Sequence, residues 1–275
     1  MALDQDEIDD KEMSFFDHLD TLRKHVIRSA YAIVIFSVLG FVFMDFIFHQ
    51  VILGPLRNNF ISYKIVCAFS HFAYKSDQFC IKHLNYELIN TEMTGQFMMS
   101  FKLAFLTGII LSMPFLLWQL WLFIKPALSR KEKSRTKGFV FYTTFLFFCG
   151  ISFGYLVLCP ISVNFLSSYS LSPIVENKIV ITSVVSFLTL LVLGSGLIFE
   201  LPIIMYFLAR IGIISADFLK KYRKHAFVVI LLLSALLTPP DVVSQIVLTI
   251  PLYSLFELGI TIVKRVEKNK AKLDG

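Results

Sequence analysis

The stretch LVLGSGLIFELPIIMYFLA, residues 191–209, decides the fold class, because it holds a single charged residue among almost entirely apolar ones. A helix needs roughly 20 apolar residues to cross the hydrocarbon layer of a membrane. The stretch therefore predicts a transmembrane helix. Its charged residue is Glu200, and Pro202 follows two positions later. The sequence thus raises the question of what a carboxylate does at membrane depth.

Apolar runs of this kind recur along the chain. The sequence is 56% hydrophobic, with 29 Phe among 275 residues, which is more apolar than a soluble domain of this size. The runs are continuous, whereas the strands of a membrane barrel alternate apolar and polar residues. We therefore predict an all-α membrane protein with six transmembrane helices. The runs are residues 27–46, 97–124, 138–158, 183–209, 226–237 and 242–263.

Lysine and arginine are unevenly distributed between these runs. They are dense before and at the start of the first run, in the linkers 125–137 and 210–224 and in the tail from 264, and sparse in the connection 47–96. Positively charged loops stay in the cytoplasm. Both termini are therefore predicted to be cytoplasmic.

The predicted organisation has three parts. Residues 1–26 form a cytoplasmic segment with an amphipathic helix, residues 27–263 form the six-helix domain, and residues 264–275 form a cytoplasmic basic tail. The domain includes a long outer loop at about 47–96. The last two helices are predicted to be short, since the fifth run offers only about a dozen residues and Glu257 interrupts the sixth.

The sequence argues against several function classes. The net charge of +6 indicates topology and attraction to anionic membrane lipid, and no loop interleaves basic and aromatic residues as nucleic-acid binding requires. Phosphate-binding, esterase and metalloprotease motifs are absent. We predict no enzymatic activity, no cofactor, no metal and no nucleic-acid partner.

The four cysteines fall into two pairs. Cys67 and Cys80 lie in the predicted outer loop, where an oxidising compartment allows a disulfide between them, although free thiols remain an equal alternative. Cys149 and Cys159 lie in or at the end of an apolar run. The second pair is predicted to be small packing residues.

The segment SFFDHLDTLRKHV, residues 14–26, precedes the first run. Its apolar residues follow helical spacing, and Ser14 and Asp17 are placed as a variant of the capping box. The pattern predicts an amphipathic helix that lies on the inner membrane surface.

Five motifs, taken in order along nearly the whole chain, resemble the TatC family of the Sec-independent twin-arginine protein translocase. One of them alone would be weak evidence, whereas five in sequence are specific. They are HLDTLRK (18–24), WQLWLFIKPALSRKE (118–132), FELPIIM (199–205), TPPDVVSQ (238–245) and IPLYSLFELG (250–259).

The resemblance implies a fold and a function. TatC-like proteins form a cupped six-helix bundle in the cell inner (plasma) membrane, where they bind the twin-arginine signal peptides of folded proteins. They recruit the single-span partners TatA and TatB for export driven by the proton-motive force. The resemblance also implies a homo-oligomer within the receptor complex.

The resemblance further implies a signal-peptide site on the inner surface. Its residues would be His18, Asp20, Thr21, Arg23 and Glu132. The family motif has a glutamate where this chain has Thr21, so Asp20 is the nearest acid that could replace it, with Asp17 in reserve. Asp20 lies about 100° around a helix from residue 21, and the sequence leaves the substitution open.

Two further sets of residues follow from the resemblance. Glu200, Gln119 and Gln245 are expected to form intramembrane polar sites for a partner helix. The outer loops are expected to be shaped by Pro55, Pro239, Pro240 and Asp241.

Glu200 has two interpretations. Pro202 leaves a carbonyl group without its helical donor and bends the helix, so a protonated Glu200 could satisfy that kink as a structural residue. Alternatively, Glu200 is a polar contact for a partner helix or an inserted signal peptide.

The alternative function is a proton-coupled secondary transporter, which would also use intramembrane acids. Such transporters usually show internal repeats with matching helix breaks. The two halves of this sequence show no such repeat.

Overall fold

The computed structural model describes residues 15–57, 59–65, 67, 87–125, 138–169, 172, 178–239 and 241–274, with only the backbone for 15–18 and 271–274. The main elements of the described part are helices, together with two short strands. In chain order they are α1 (Phe15–Val42), β1 (Glu87–Ile89), α2 (Gly95–Ile124), α3 (Phe139–Phe153), α4 (Cys159–Ser168), β2 (Lys178–Val180), α5 (Ile181–Phe199), α6 (Leu201–Ile211), α7 (Ala216–Lys221), α8 (Arg223–Leu237) and α9 (Val242–Asp274).

Three irregular helical turns extend these elements. A three-residue turn, Met44–Phe46, and a π-helical turn, Ile47–Ile52, follow α1. A second π-helical turn, Gly154–Leu158, joins α3 to α4. Helix α2 runs through Pro114 and α9 runs through Pro251 without ending.

Within the described residues, five helical stretches are long and apolar enough to cross a membrane. They are Leu19–Val42, Gly95–Ile124, Phe139–Ser168, Ile181–Ile211 and Val242–Lys270. The chain is therefore a multi-pass membrane protein. The fifth predicted span corresponds to α8, whose 15 residues rise about 22 Å, less than a hydrocarbon layer of about 30 Å. Its crossing of the membrane stays a prediction.

The structure corrects three sequence-based boundaries. Residues 15–26 do not form a separate surface helix, because α1 continues unbroken from Phe15 into the first span. The last helix is not short, since α9 has 33 residues and includes most of the predicted basic tail. No glycine or proline interrupts either junction, so the helices continue.

A small parallel sheet was not predicted. Strands β1 and β2 pair in register from Glu87 with Lys178 to Ile89 with Val180. Each strand has three residues and lies just before a long helix. The sheet therefore ties the start of α2 to the start of α5.

Small residues set the closest helix crossings. A Cβ atom added at Gly150 of α3 would lie 2.8 Å from the Cα of Gly196 in α5, and the Ser195 hydroxyl donates to the Gly150 carbonyl at 2.8 Å. Gly154 makes a similar approach, since a Cβ atom added there would lie 3.0 Å from the Leu191 carbonyl oxygen. Close backbone approach of this kind is typical of membrane helices.

The two ends of the bundle differ in charge. We call the end where α1 begins, α2 ends and α8 begins the basic end, because it carries Arg23, Lys125 and Arg223. Aromatic rings cluster there: Phe139 stacks on Trp121 at 4.8 Å between ring centroids and meets Phe207 edge-on at 4.9 Å. Such rings are enriched at membrane boundaries.

At the opposite end, tyrosines hold the turns that follow α1. The Tyr63 hydroxyl donates to the carbonyl of Pro55 at 2.8 Å, and the Tyr155 hydroxyl donates to the carbonyl of Val51 at 2.7 Å. Pro55 is buried at this contact, and its role in shaping the outer loop stays a prediction.

Candidate functional site

Glu200 lies at the break between α5 and α6. It follows the last residue of α5 and precedes the first residue of α6. Its backbone carbonyl accepts from the N–H groups of Ile203 and Ile204 at 3.0 and 3.1 Å. The residue therefore starts α6, and its side chain is positioned by the break.

The Glu200 carboxyl group is buried without compensation. The residue is 7% exposed, and neither carboxyl oxygen has a hydrogen-bond partner among the residues that the structure describes. Burying a polar group without a hydrogen bond is unfavourable. The group is thus placed to accept or donate a hydrogen bond that the described part of the chain does not supply.

Pro202 does not create the kink with an unsatisfied carbonyl group that the structural interpretation of Glu200 requires. It occupies one of the first two positions of α6, where a missing N–H group costs little. The helix is broken, as predicted. The side-chain carboxyl group of Glu200, however, makes no hydrogen bond to the backbone at the break. The structural interpretation of Glu200 therefore lacks the hydrogen bond to the kink on which it depends.

The same face of α5 carries other polar groups that the sequence analysis did not single out. Thr189 precedes Glu200 by three helical turns, and its buried hydroxyl has no partner in the described part of the chain. One turn earlier, Ser186 accepts a 2.7 Å hydrogen bond from Lys102 Nζ on α2. The sequence signal that could have identified Thr189 is its spacing of three helical turns from the intramembrane acid Glu200.

Gln119 joins α2 to α1 near the basic end. His25 Nδ1 lies 2.6 Å from Gln119 Oε1, so Nδ1 is the donor to the amide oxygen. Gln119 is buried, and the His25 ring also meets Phe123 edge-on at 6.4 Å. This pair fastens the start of α1 to the end of α2.

Gln245 and Asp241 belong to the turn between α8 and α9. Gln245 Nε2 donates to the carbonyl of Leu231 at 3.2 Å, and Asp241 Oδ2 accepts from the Ser244 N–H at 2.6 Å. Asp241 therefore caps the start of α9. Pro239 directly precedes this cap region, and Pro240 lies outside the described residues.

The three predicted intramembrane residues do not form one hydrogen-bonded cluster. Gln119 bonds to α1, Gln245 bonds to α8, and Glu200 has no hydrogen bond to either within the described residues. A partner helix would therefore meet them at separate places, and Glu200 is the one with unused bonding capacity.

The predicted signal-peptide residues occupy the first turns of α1. Asp20 pairs with Lys24 at 2.7 Å, with side chains 55% and 66% exposed, while Thr21 is half-buried and Arg23 is exposed. The side chains of Asp17 and His18 are not described. Glu132 lies outside the described residues, so its proximity to Asp20 stays a prediction.

The structure describes three of the four cysteines. Cys67 is disulfide-bonded, and Cys149 and Cys159 are free thiols. Cys80 lies outside the described residues, so the pairing of Cys67 with Cys80 stays a prediction. The described residues contain no cluster of metal-binding side chains.

Comparison with known proteins gives a consistent result. Residues 17–251 match the family model for the Sec-independent protein translocase protein TatC. The chain is 37% identical over 260 residues to a protein of that name from Blattabacterium sp. subsp. Periplaneta americana, covering 94% of this chain and 98% of the relative. It is 32% identical to the TatCy protein of Bacillus subtilis, covering 95% and 92%.

Solved structures agree with the sequence matches. A crystal structure described as Twin Arginine Translocase Receptor TatC superposes with a TM-score of 0.66 at 27% identity, covering 91% of this chain and 99% of that one. A second crystal structure of such a receptor, in the detergent DDM, gives 0.69 at 28% identity, covering 89% and 98%.

Proposed function

This chain belongs to the TatC family of Sec-independent protein translocase proteins, and we propose that it is the receptor subunit of a twin-arginine translocase. In this role it binds the twin-arginine signal peptides of folded proteins and recruits TatA- and TatB-type single-span proteins. Export is driven by the proton-motive force. The proposal places the chain in the cell inner (plasma) membrane with both termini in the cytoplasm.

The observation that carries this proposal is the state of the Glu200 carboxyl group. A charged side chain near the middle of a membrane helix costs on the order of 2.5 to 3.5 kcal/mol on insertion scales, and Glu200 has no hydrogen bond within the described chain to offset that cost. A polar group on a partner helix would supply the missing bond. The unbonded carboxyl group therefore supports recruitment of a second membrane component.

The helix break makes such a contact feasible. Glu200 belongs to neither α5 nor α6, so its side chain can turn outward without unwinding a continuous helix. The residue is nearly buried in the isolated chain. Recruitment would therefore involve a movement of this side chain that exposes it to the partner.

The start of α1 supports signal-peptide binding. Asp20 is exposed and paired only with Lys24 of its own helix, and exposed pairs of this kind contribute little. An arginine of a signal peptide offers two parallel donors, which a carboxylate accepts better than it accepts a lysine. Arginine can therefore displace Lys24 from Asp20, and Glu132 is proposed as the second acid.

The lipid-facing side of α1 supports self-association or lipid contact. Val34, Ile35 and Val38 are each 58–60% exposed, and α1 packs mainly on α2. An exposed apolar helix face suits membrane lipid or a second copy of the chain. We propose a homo-oligomer within the receptor complex.

Export of a folded cargo tests the proposed function. The chain is expressed in a bacterial strain that lacks its own TatC, together with TatA- and TatB-type proteins. We expect a folded reporter with a twin-arginine signal peptide to be exported, and the same reporter with a Lys-Lys pair to remain in the cytoplasm. Export of neither reporter by a chain that accumulates in the membrane would contradict the proposal.

A further inference from the structure

The starting point is the way α1 and α2 cross. Their closest approach is set by Gly108, where an added Cβ atom would lie 2.8 Å from the Ile33 carbonyl and the Ser37 backbone nitrogen. A second close contact follows at Gly40, where an added Cβ atom would lie 3.2 Å from the Ala104 carbonyl oxygen. These contacts close the interface on the side away from the basic end.

Between this crossing and the basic end, the two helices leave an open groove of about 430 Å³. This size is within the roughly 300–1,000 Å³ of ligand-binding clefts. The lining is almost entirely apolar, and several lining side chains are exposed. They include Leu22, Val26 and Ala30 from α1 and Leu120 from α2, while Leu116 and Phe123 of the lining are half-buried.

The groove has a polar boundary at the basic end. The hydrogen bond from His25 to Gln119 bridges α1 and α2 there at 2.6 Å, and both residues line the groove. Asp20 lies two positions before Leu22, and the chain leaves α2 at Lys125, two positions after Phe123. The surface therefore changes from polar and charged at the basic end to apolar toward the crossing at Gly108.

A signal peptide shows the same change of character. Its basic segment is followed by an apolar segment of roughly 7–15 residues. If its arginines are held at Asp20, the apolar segment starts at the basic end of the groove. The groove from Leu22 to Ile33 is about 16 Å long, which matches about eleven residues of helix.

We propose that the groove between α1 and α2 binds one face of the apolar segment of the twin-arginine signal peptide as a helix. This inference rests on the proposed receptor function and adds a second contact region to it. Amphipathic or apolar helices bind grooves through side chains at i, i+3, i+4 and i+7, and the groove accepts such a row of side chains rather than a whole helix.

The competing occupant is a phospholipid acyl chain. An anionic headgroup would meet Arg23 and Lys24 near the same end of the groove. Asp20 repels a phosphate, whereas the guanidinium of an arginine can replace Lys24 in the exposed, weakly held pair with Asp20. The choice of the peptide therefore rests on Asp20 and on the length of the groove, not on the overall charge of this end. The experiments below distinguish the two occupants.

The first experiment fills the groove. Ala30→Trp places a large ring in the groove, whereas Ile27→Trp adds the same ring on an exposed part of α1 that does not line the groove. The probe is a fluorescent twin-arginine signal peptide, titrated into the purified chain in nanodiscs. We expect Ala30→Trp to weaken binding by about tenfold, equivalent to about 1.4 kcal/mol, and Ile27→Trp to leave it unchanged.

Peptide variants separate failure of this inference from failure of the proposed function. If the unmodified chain binds Arg-Arg and Lys-Lys peptides equally, the receptor function itself is contradicted. If it prefers the Arg-Arg peptide and Ala30→Trp binds as tightly as the unmodified chain, the groove is not the site and only this inference fails.

A crosslinking experiment avoids dependence on a variant that perturbs folding. A photoreactive residue is placed at Leu120, which lines the groove, or at Trp118, which is similarly exposed on α2 but does not line it. We expect the Leu120 position to crosslink to the apolar segment of the bound peptide and the Trp118 position not to do so. Crosslinks from Leu120 to lipid alone, with peptide present at saturation, would overturn the inference.

Discussion

The guanidinium of Arg223 lies 2.7 Å from the carboxylate of Glu257. This ion pair joins the first residue of α8 to the middle of α9, and the Tyr253 hydroxyl donates to the same carboxylate at 3.2 Å. Both charged side chains are partly exposed. Glu257 interrupts an apolar run in the sequence, and the structure assigns it a partner at the basic end of the bundle.

The Arg223 and Glu257 pair is expected to make a small, separable contribution to stability. Partly exposed pairs are worth about 0.2 to 1 kcal/mol, so Arg223→Ala and Glu257→Ala should each lower the unfolding midpoint slightly. The double variant should be no worse than the more damaging single variant. Thermal unfolding in detergent measures this coupling, and strictly additive losses would show that the two residues act independently.

The close contact between α3 and α5 is expected to tolerate loss of a hydroxyl better than gain of a side chain. Ser195→Ala removes one hydrogen bond to Gly150, at a net cost of about 1 kcal/mol. Gly150→Val forces atoms against the backbone of Gly196, and overpacking costs about 1–3 kcal/mol or more. Unfolding midpoints should follow that order, and equal midpoints would contradict the geometry of the crossing.

Much of the fold follows from the sequence because apolar runs of sufficient length specify membrane helices. The boundary errors have a common cause. Sequence patterning separates the polar start of α1 and the basic end of α9 from the spans, but a helix ends only where a residue such as proline or glycine, or a competing contact, stops it. The two three-residue strands are too short to show a period.

The candidate site could be predicted only in part. Glu200 is visible as the charged residue of an apolar stretch, and Pro202 indicates the break beside it. Contacts between residues that are far apart in the sequence cannot be predicted from its pattern. His25 and Gln119 are 94 positions apart, and Lys102 and Ser186 are 84 positions apart. Pairings of this kind depend on how the helices cross, which the small residues at Gly40 and Gly108 determine.

Asp20 is expected to matter more than Thr21 for signal-peptide binding. A carboxylate accepts paired hydrogen bonds from a guanidinium, whereas a hydroxyl group carries no charge to attract it. Asp20→Ala should therefore weaken binding of a twin-arginine peptide about tenfold, and Thr21→Ala should weaken it less. Binding affinities of the purified variants decide the order, and a larger effect of Thr21→Ala would refute this assignment.

Glu132→Ala is expected to weaken peptide binding without loss of the protein from the membrane. Glu132 is the only acid in a linker with six basic residues between 125 and 137, so its removal leaves the peptide arginines facing positive charge alone. Peptide titration and membrane abundance are measured together. Unchanged affinity in the purified variant would exclude this role, and Ser129→Ala in the same linker serves as the control.

The last prediction concerns Glu200 and separates its hydrogen bonding from its charge. Glu200→Gln keeps a polar group that can bond to a partner helix, whereas Glu200→Ala removes it. Because the carboxyl group has no hydrogen bond within the described chain, neither substitution breaks a described hydrogen bond, and both variants should accumulate as folded membrane proteins. We expect Glu200→Ala to abolish copurification of the single-span partner and export of a folded cargo, and Glu200→Gln to retain part of both. Thr189→Val, which removes the other unbonded polar group on this face, tests whether the effect is specific to Glu200. Full export by the Ala variant would exclude a functional role, and loss of folded protein in both Glu200 variants would restore the structural interpretation.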